Sequence, residues 1–122
     1  MADFKKLAVW QKARKLTVAT IKACGDISGN IGSLVRNQLV RAIMSVPANI
    51  AEGSAKQSDR EFARFVRISL GSVSESEYHL IIASDLDLID TKDFASLSAQ
   101  IEDVRKMLTG LAKRLSADAD AK

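Results

Sequence analysis

The chain has 122 residues, 47% of them hydrophobic and 27% charged, with a formal net charge of +3. That length predicts one domain, 1–122, and that apolar content excludes a disordered chain. No apolar run approaches the roughly 18 residues of a membrane span, and residues 1–6 lack the apolar stretch of a signal peptide.

The lone Cys24 has no internal disulfide partner, and together these features predict a cytoplasmic protein. The charge is unevenly spread. Residues 1–67 hold twelve Lys/Arg against five Asp/Glu, and residues 68–122 hold six against ten. A basic half and an acidic half fit either a polyanion partner or head-to-tail association between copies; the plainer alternative is solvated faces of uneven sign.

Four helices are predicted. The first spans about 7–24, with Val9/Trp10, Ala13, Leu16/Thr17, Thr20 and Ala23/Cys24 recurring at helical spacing. Residues 25–32 follow as a loop rich in glycine. The second helix spans about 33–54 and contains Pro47, the only proline. A proline inside a helix removes one hydrogen bond and crowds the carbonyl four residues back, here that of Ile43, so a kink or a break is expected. Gly53 is expected to stop this helix.

The third helix spans about 58–89 and opens on Ser58-Asp-Arg-Glu61, a capping-box pattern. The fourth spans about 91–116, and residues 117–122 are expected to fray. Its apolar residues Phe94, Leu97, Ile101, Val104, Leu108, Leu111 and Leu115 alternate gaps of three and four, a narrow seam. Four helices with short connections predict an all-α, antiparallel up-down-up-down four-helix bundle. The third helix is apolar on more than one face, including Leu80-Ile81-Ile82-Ala83. Such a helix wants cover beyond its own bundle, so a homo-oligomer is expected, with the third helix and part of the second at the contact. The alternative is that a kinked second helix wraps the third within one subunit.

Little in the sequence points to chemistry. Di-iron bundles use Glu-x-x-His motifs, whereas His79 has Glu75 and Glu77 at other spacings; no metal or cofactor is expected. Cys24 has no base nearby in sequence, and no Gly-x-Ser-x-Gly elbow or phosphate-binding fingerprint occurs. No catalytic residue is assigned, and no small-molecule substrate is expected. Lys56, Arg60, Arg64 and Arg67 make a row at spacings of four, four and three, and Lys12 and Lys15 belong to a basic first helix. Such rows suit phosphate contacts. They are the candidate nucleic-acid-binding residues; without interleaved aromatics they offer no base stacking.

Around the proline, Arg41, Ser45, Asn49 and Glu52 form a polar stripe. The expectation is a buried polar joint, in which Ser45 or Asn49 satisfies the carbonyls freed by Pro47 and Arg41 pairs with Glu52 or Glu75. Small residues of the third helix, Ser69, Gly71, Ser72 and Ser76, would let a second backbone come close. The alternative is a solvated polar face.

Four segments carry a resemblance: Leu7-Ala-Val-Trp-Gln-Lys-Ala13, Gln38-Leu-Val-Arg-Ala42, Ser45-Val-Pro-Ala-Asn-Ile-Ala-Glu-Gly53, and Phe62 with Gly71-Ser-Val-Ser-Glu75. In this order they resemble the bacterial four-helix bundle family of 23S ribosomal RNA intervening-sequence proteins. The accessory variability proteins of diversity-generating retroelements are similar to that family. The resemblance implies a ring-shaped homopentamer and, for most members, no established activity. In the retroelement branch it implies binding of nucleic acid and of a reverse transcriptase, a nucleic-acid enzyme, through a basic surface. The first loop departs from the family, where an aromatic-proline pair and an acid are common. Two function classes follow: an accessory binder of nucleic acid or ribonucleoprotein, or a protein-interaction scaffold with no nucleic-acid partner.

Overall fold

The computed structural model describes residues 3–121; of the expected domain, Met1, Ala2 and Lys122 lie outside the described residues. A 3-10 turn, Phe4–Lys6, leads into four α-helices: α1 (Ala8–Ala23), α2 (Asn30–Ser54), α3 (Asp59–Asp85) and α4 (Thr91–Ala121). Successive helices pack side by side, α4 closes back on α1, and α1 and α3 lie diagonally opposite. The protein is therefore an all-α four-helix bundle. No helix among the described residues is long and apolar enough to cross a membrane.

The helix ends follow local chemistry. Ser58 caps α3 by accepting from the Glu61 amide at 3.1 Å, one half of the expected capping box. The Glu61 carboxylate turns to Arg64 instead of reaching back. At the other end α3 stops at Asp85, four residues short of the longest expectation. Asp87 takes a left-handed conformation (φ 58°), and the Leu88 amide donates to the Ala83 carbonyl at 2.9 Å. This is a Schellman-type stop, with Asp87 in the position glycine usually fills and Leu88 folded onto the core. Asp90 then caps α4 through the Asp93 amide at 2.7 Å.

Two other boundaries move. α2 starts at Asn30, not Ser33, because Gly29 supplies the turn (φ 85°). Ile27 of the loop is buried against Gly32, and the Arg36 side chain donates to the Ile27 carbonyl at 2.5 Å, fastening the loop to α2. α4 continues to Ala121, five residues past the expected Ser116, so residues 117–121 extend the helix instead of forming a tail.

The core is the predicted one. Leu97, Ile101, Val104, Leu108, Leu111 and Leu115 of the α4 seam are buried, and Phe94 packs against them half-buried. They meet Val9, Ala13 and Leu16 of α1, Leu39, Ile43, Val46 and Ile50 of α2, and Val66, Val73 and Leu80 of α3. Each fully buried Leu, Ile or Val contributes about 1.5–3 kcal/mol, so the bundle interior dominates stability.

The most extensive helix contact is between α2 and α3. The close approach comes from α2, not from Gly71. A Cβ on Gly53 would sit 2.6 Å from the Phe65 Cβ, whereas one on Gly71 would meet nothing within 4 Å. Gly53 thus lies inside α2 as a packing residue and does not stop the helix. Ser69 and Ser76 are buried, and Ser69 faces α2, where it reaches the Val46 carbonyl. Even with α2 laid along it, α3 leaves Ile68, Tyr78 and Ile81 exposed.

Candidate nucleic-acid interface and polar joint

α2 is not divided at Pro47: it remains one helix from Asn30 to Ser54. Two neighbouring helices supply hydroxyls where the proline sits. Thr17 of α1, nearly fully buried, donates to the Ile43 carbonyl at 3.3 Å as well as to its own Ala13 carbonyl at 2.8 Å. Ile43 is the residue whose carbonyl loses its partner when position 47 has no N–H. Ser69 of α3, fully buried, donates to the Val46 carbonyl at 2.9 Å.

The expected donors point elsewhere. Ser45 donates to the Ala42 carbonyl at 2.8 Å, and Asn49 to the Ser45 carbonyl at 2.8 Å, both within α2. The freed carbonyl is therefore taken from α1 and not from the stripe. The stripe is also not buried within one chain: Arg41 and Glu52 are exposed, and Ser45 and Asn49 half-buried. Arg41 pairs with neither Glu52 nor Glu75 among the described residues. Glu75 lies 3.5 Å from His79 Nε2, one turn along α3.

The basic row sits on the N-terminal half of α3 and the loop before it. Its members differ in how free they are. Lys56 Nζ lies 5.0 Å above the Phe65 ring, and the Arg64 guanidinium 4.7 Å from the same ring. Arg64 also bonds Glu61 at 3.1 Å. Phe65 is buried, so these two cations cover an aromatic that would otherwise reach the surface. Arg67 crosses to α4 and donates to Ser116 Oγ at 2.5 Å. Arg60 is exposed, and no hydrogen bond or ion pair holds it among the described residues.

Arg60 and Arg67 line a groove of about 270 Å³ between α3 and α4, together with Ala63, Ser116, Ala119 and Asp120. A second groove continues from Arg67 and Ser116 past Lys113 to Thr109, floored by Leu70 and Ala112. The two form one track carrying three cations and two hydroxyls. Lys113, Thr109 and Ser116 were not singled out from the sequence. Their only signal was a solvent-side position on α4, shared with many other residues.

Lys12 and Lys15 do not join this track. They belong to α1, across the bundle from α3. Lys12 Nζ lies 3.6 Å from Asp103 of α4, and Lys15 lines a separate α1 surface with Arg14, Val18 and Lys22. The basic residues thus occupy two faces.

The groups with chemical potential are occupied or shielded. Cys24 is fully buried, and its thiol is pushed above its ordinary value of 9.0, first by burial and then by the Asp93 carboxylate, against the opposing pull of Arg36. Ser76, like Ser69, is committed to a backbone carbonyl, that of Ser72 at 2.7 Å. His79 has Glu75 and the Tyr78 ring as neighbours. Among the described residues no three His, Cys, Asp or Glu side chains converge as a metal site would require.

The family model described as 23S rRNA-intervening sequence protein matches residues 5–110. The chain belongs to that family. A solved structure of similar fold is the protein of unknown function from the S23 ribosomal protein family of Bacteroides thetaiotaomicron VPI-5482. It superposes with a TM-score of 0.79 over 87% of this chain and 99% of its own, at 22% identity. At that identity the likeness speaks for the fold. No curated protein matches the chain. The family match takes in α1, α2, α3 and most of α4.

Proposed function

We propose that this member of the family works by binding rather than by catalysis, as a self-associating accessory protein that holds RNA or DNA along the α3/α4 groove. The observation carrying this reading is the track from Arg60 through Arg67 and Ser116 to Lys113 and Thr109. Cations and hydroxyls gathered along one groove suit phosphate oxygens, whose contacts carry no base preference. A binding role is supported further by the state of Cys24, Ser69 and Ser76, each buried or spent on backbone.

Assembly into a homopentameric ring would repeat the track around one particle and add its fields. Such a protein would work in the cytoplasm, beside the nucleic acid or a nucleic-acid enzyme. One observation favours the scaffold alternative: Asp120 lines the same groove and opposes anions. Binding of a fluorescent single-stranded RNA at low salt separates the two. The proposal expects binding that Arg60→Glu weakens; no binding by the wild type would leave the scaffold.

A further inference from the structure

Among the apolar side chains that the described residues leave exposed, two surfaces differ in shape and sign. The first is a groove of about 600 Å³ between α1 and α2, lined by Ile21, Val40 and Met44 with Arg36, Asn37 and Arg41 among its polar residues. Met44 is 52% exposed and Ile21 41%. The second is a ridge on the C-terminal half of α3, where Tyr78 is 59% exposed and Ile81 43%. Glu75, Tyr78, Ile81 and Asp85 follow one another at three- and four-residue steps and so share one side of the helix. Large apolar side chains gathered in this way mark interaction sites more often than isolated ones do.

The charges around these surfaces are complementary. α1 and α2 together carry six cations, Lys12, Arg14, Lys15, Lys22, Arg36 and Arg41, against one acid, Glu52. Residues 74–85 of α3 carry Glu75, Glu77 and Asp85 and no Lys or Arg. Glu77 is held by Arg105 of α4 at 2.7 Å, which leaves Glu75 and Asp85 as the exposed acids of the ridge. Arg41, at the groove, has no hydrogen-bond or ion-pair partner among the described residues.

We infer that the α1/α2 groove of one copy seats the α3 ridge of another, with Tyr78 and Ile81 entering beside Met44 and Ile21 and Glu75 or Asp85 meeting Arg41. This rests on the reading of the chain as self-associating. The contact is head-to-tail, since groove and ridge are different surfaces. Each copy therefore offers one of each, and the association closes into a ring or continues as a chain. The pairing of Arg41 with an acid of α3 is then made between copies, where assembly buries it.

The test uses two full-length variants, Met44→Glu in the groove and Ile81→Glu on the ridge. Both positions are exposed, and circular dichroism verifies that the bundle is intact. Light scattering is expected to show a multi-subunit wild type and each variant alone as a monomer. An equimolar mixture is expected to give a heterodimer and nothing larger, because only the unaltered groove of one variant and the unaltered ridge of the other fit. A monomeric wild type would overturn self-association itself. An assembled wild type with either variant still assembled, or a mixture that stays monomeric, would overturn this pairing of faces while leaving self-association standing. RNA binding is read separately and bears only on the α3/α4 track.

Discussion

Thr17 of α1 donates its hydroxyl to the carbonyl oxygen of Ile43 in α2, the carbonyl that Pro47 leaves without a helical partner. A neighbouring helix thus compensates for what the proline removes. Thr17→Val keeps the shape and deletes the donor, and is expected to cost roughly 1 kcal/mol. Pro47→Ala restores an N–H at position 47, and in that background Thr17→Val should cost measurably less. Urea unfolding of the four proteins of this cycle gives the coupling; additive costs would mean that the hydroxyl does not serve the proline.

Gly53 and Gly110 make opposite predictions for the same substitution. The Cβ of Gly53→Ala would stand 2.6 Å from Phe65 and 2.9 Å from the Phe62 ring, forcing α2 and α3 apart. A loss of about 1–3 kcal/mol is expected, as for overpacking in a filled core. Gly110→Ala in α4 meets open space and is expected to gain roughly 0.5–1 kcal/mol through helix propensity. Thermal melts of the two variants check both signs.

Cys24 gives a pH dependence whose sign is fixed by its burial. The folded thiol titrates above 9.0 while the unfolded thiol titrates near it, so the folded state holds its proton longer. Its contribution is intact below that pH and is lost as pH rises through the folded value. Relative to Cys24→Ala, the wild type should lose stability more steeply on the alkaline side and in parallel at neutral pH. A disulfide reagent should label Cys24 at the rate of unfolding, not at the rate of a free thiol.

The arrangement of helices was legible because it rests on spacing. The α4 seam repeats at gaps of three and four and buries at the positions it names. The polar joint was legible only in part. The proline marks which carbonyl is freed, but its donor, Thr17, is 26 residues away on another helix, and no local pattern carries that pairing. Ser45 and Asn49 were the nearer donors in sequence; helical geometry directs them to Ala42 and Ser45. Likewise the row Arg60, Arg64, Arg67 was visible as charge at helical spacing. The packing of α3 on α4 then decides that Arg67 turns to Ser116 and that Lys113 extends the track. It also leaves Lys12 and Lys15 on the far side, because α1 and α3 are diagonal.

The salt dependence of RNA binding reports on the phosphate track between α3 and α4. For single strands the slope of log affinity against log salt is about −0.7 per phosphate neutralised. Arg60→Glu and Lys113→Glu should each weaken binding at low salt and flatten that slope by about one such step, while Lys12→Glu should leave it unchanged. A wild-type affinity insensitive to salt, or a slope that moves with Lys12 and not with Arg60 and Lys113, would mean that the α3/α4 groove does not hold phosphates.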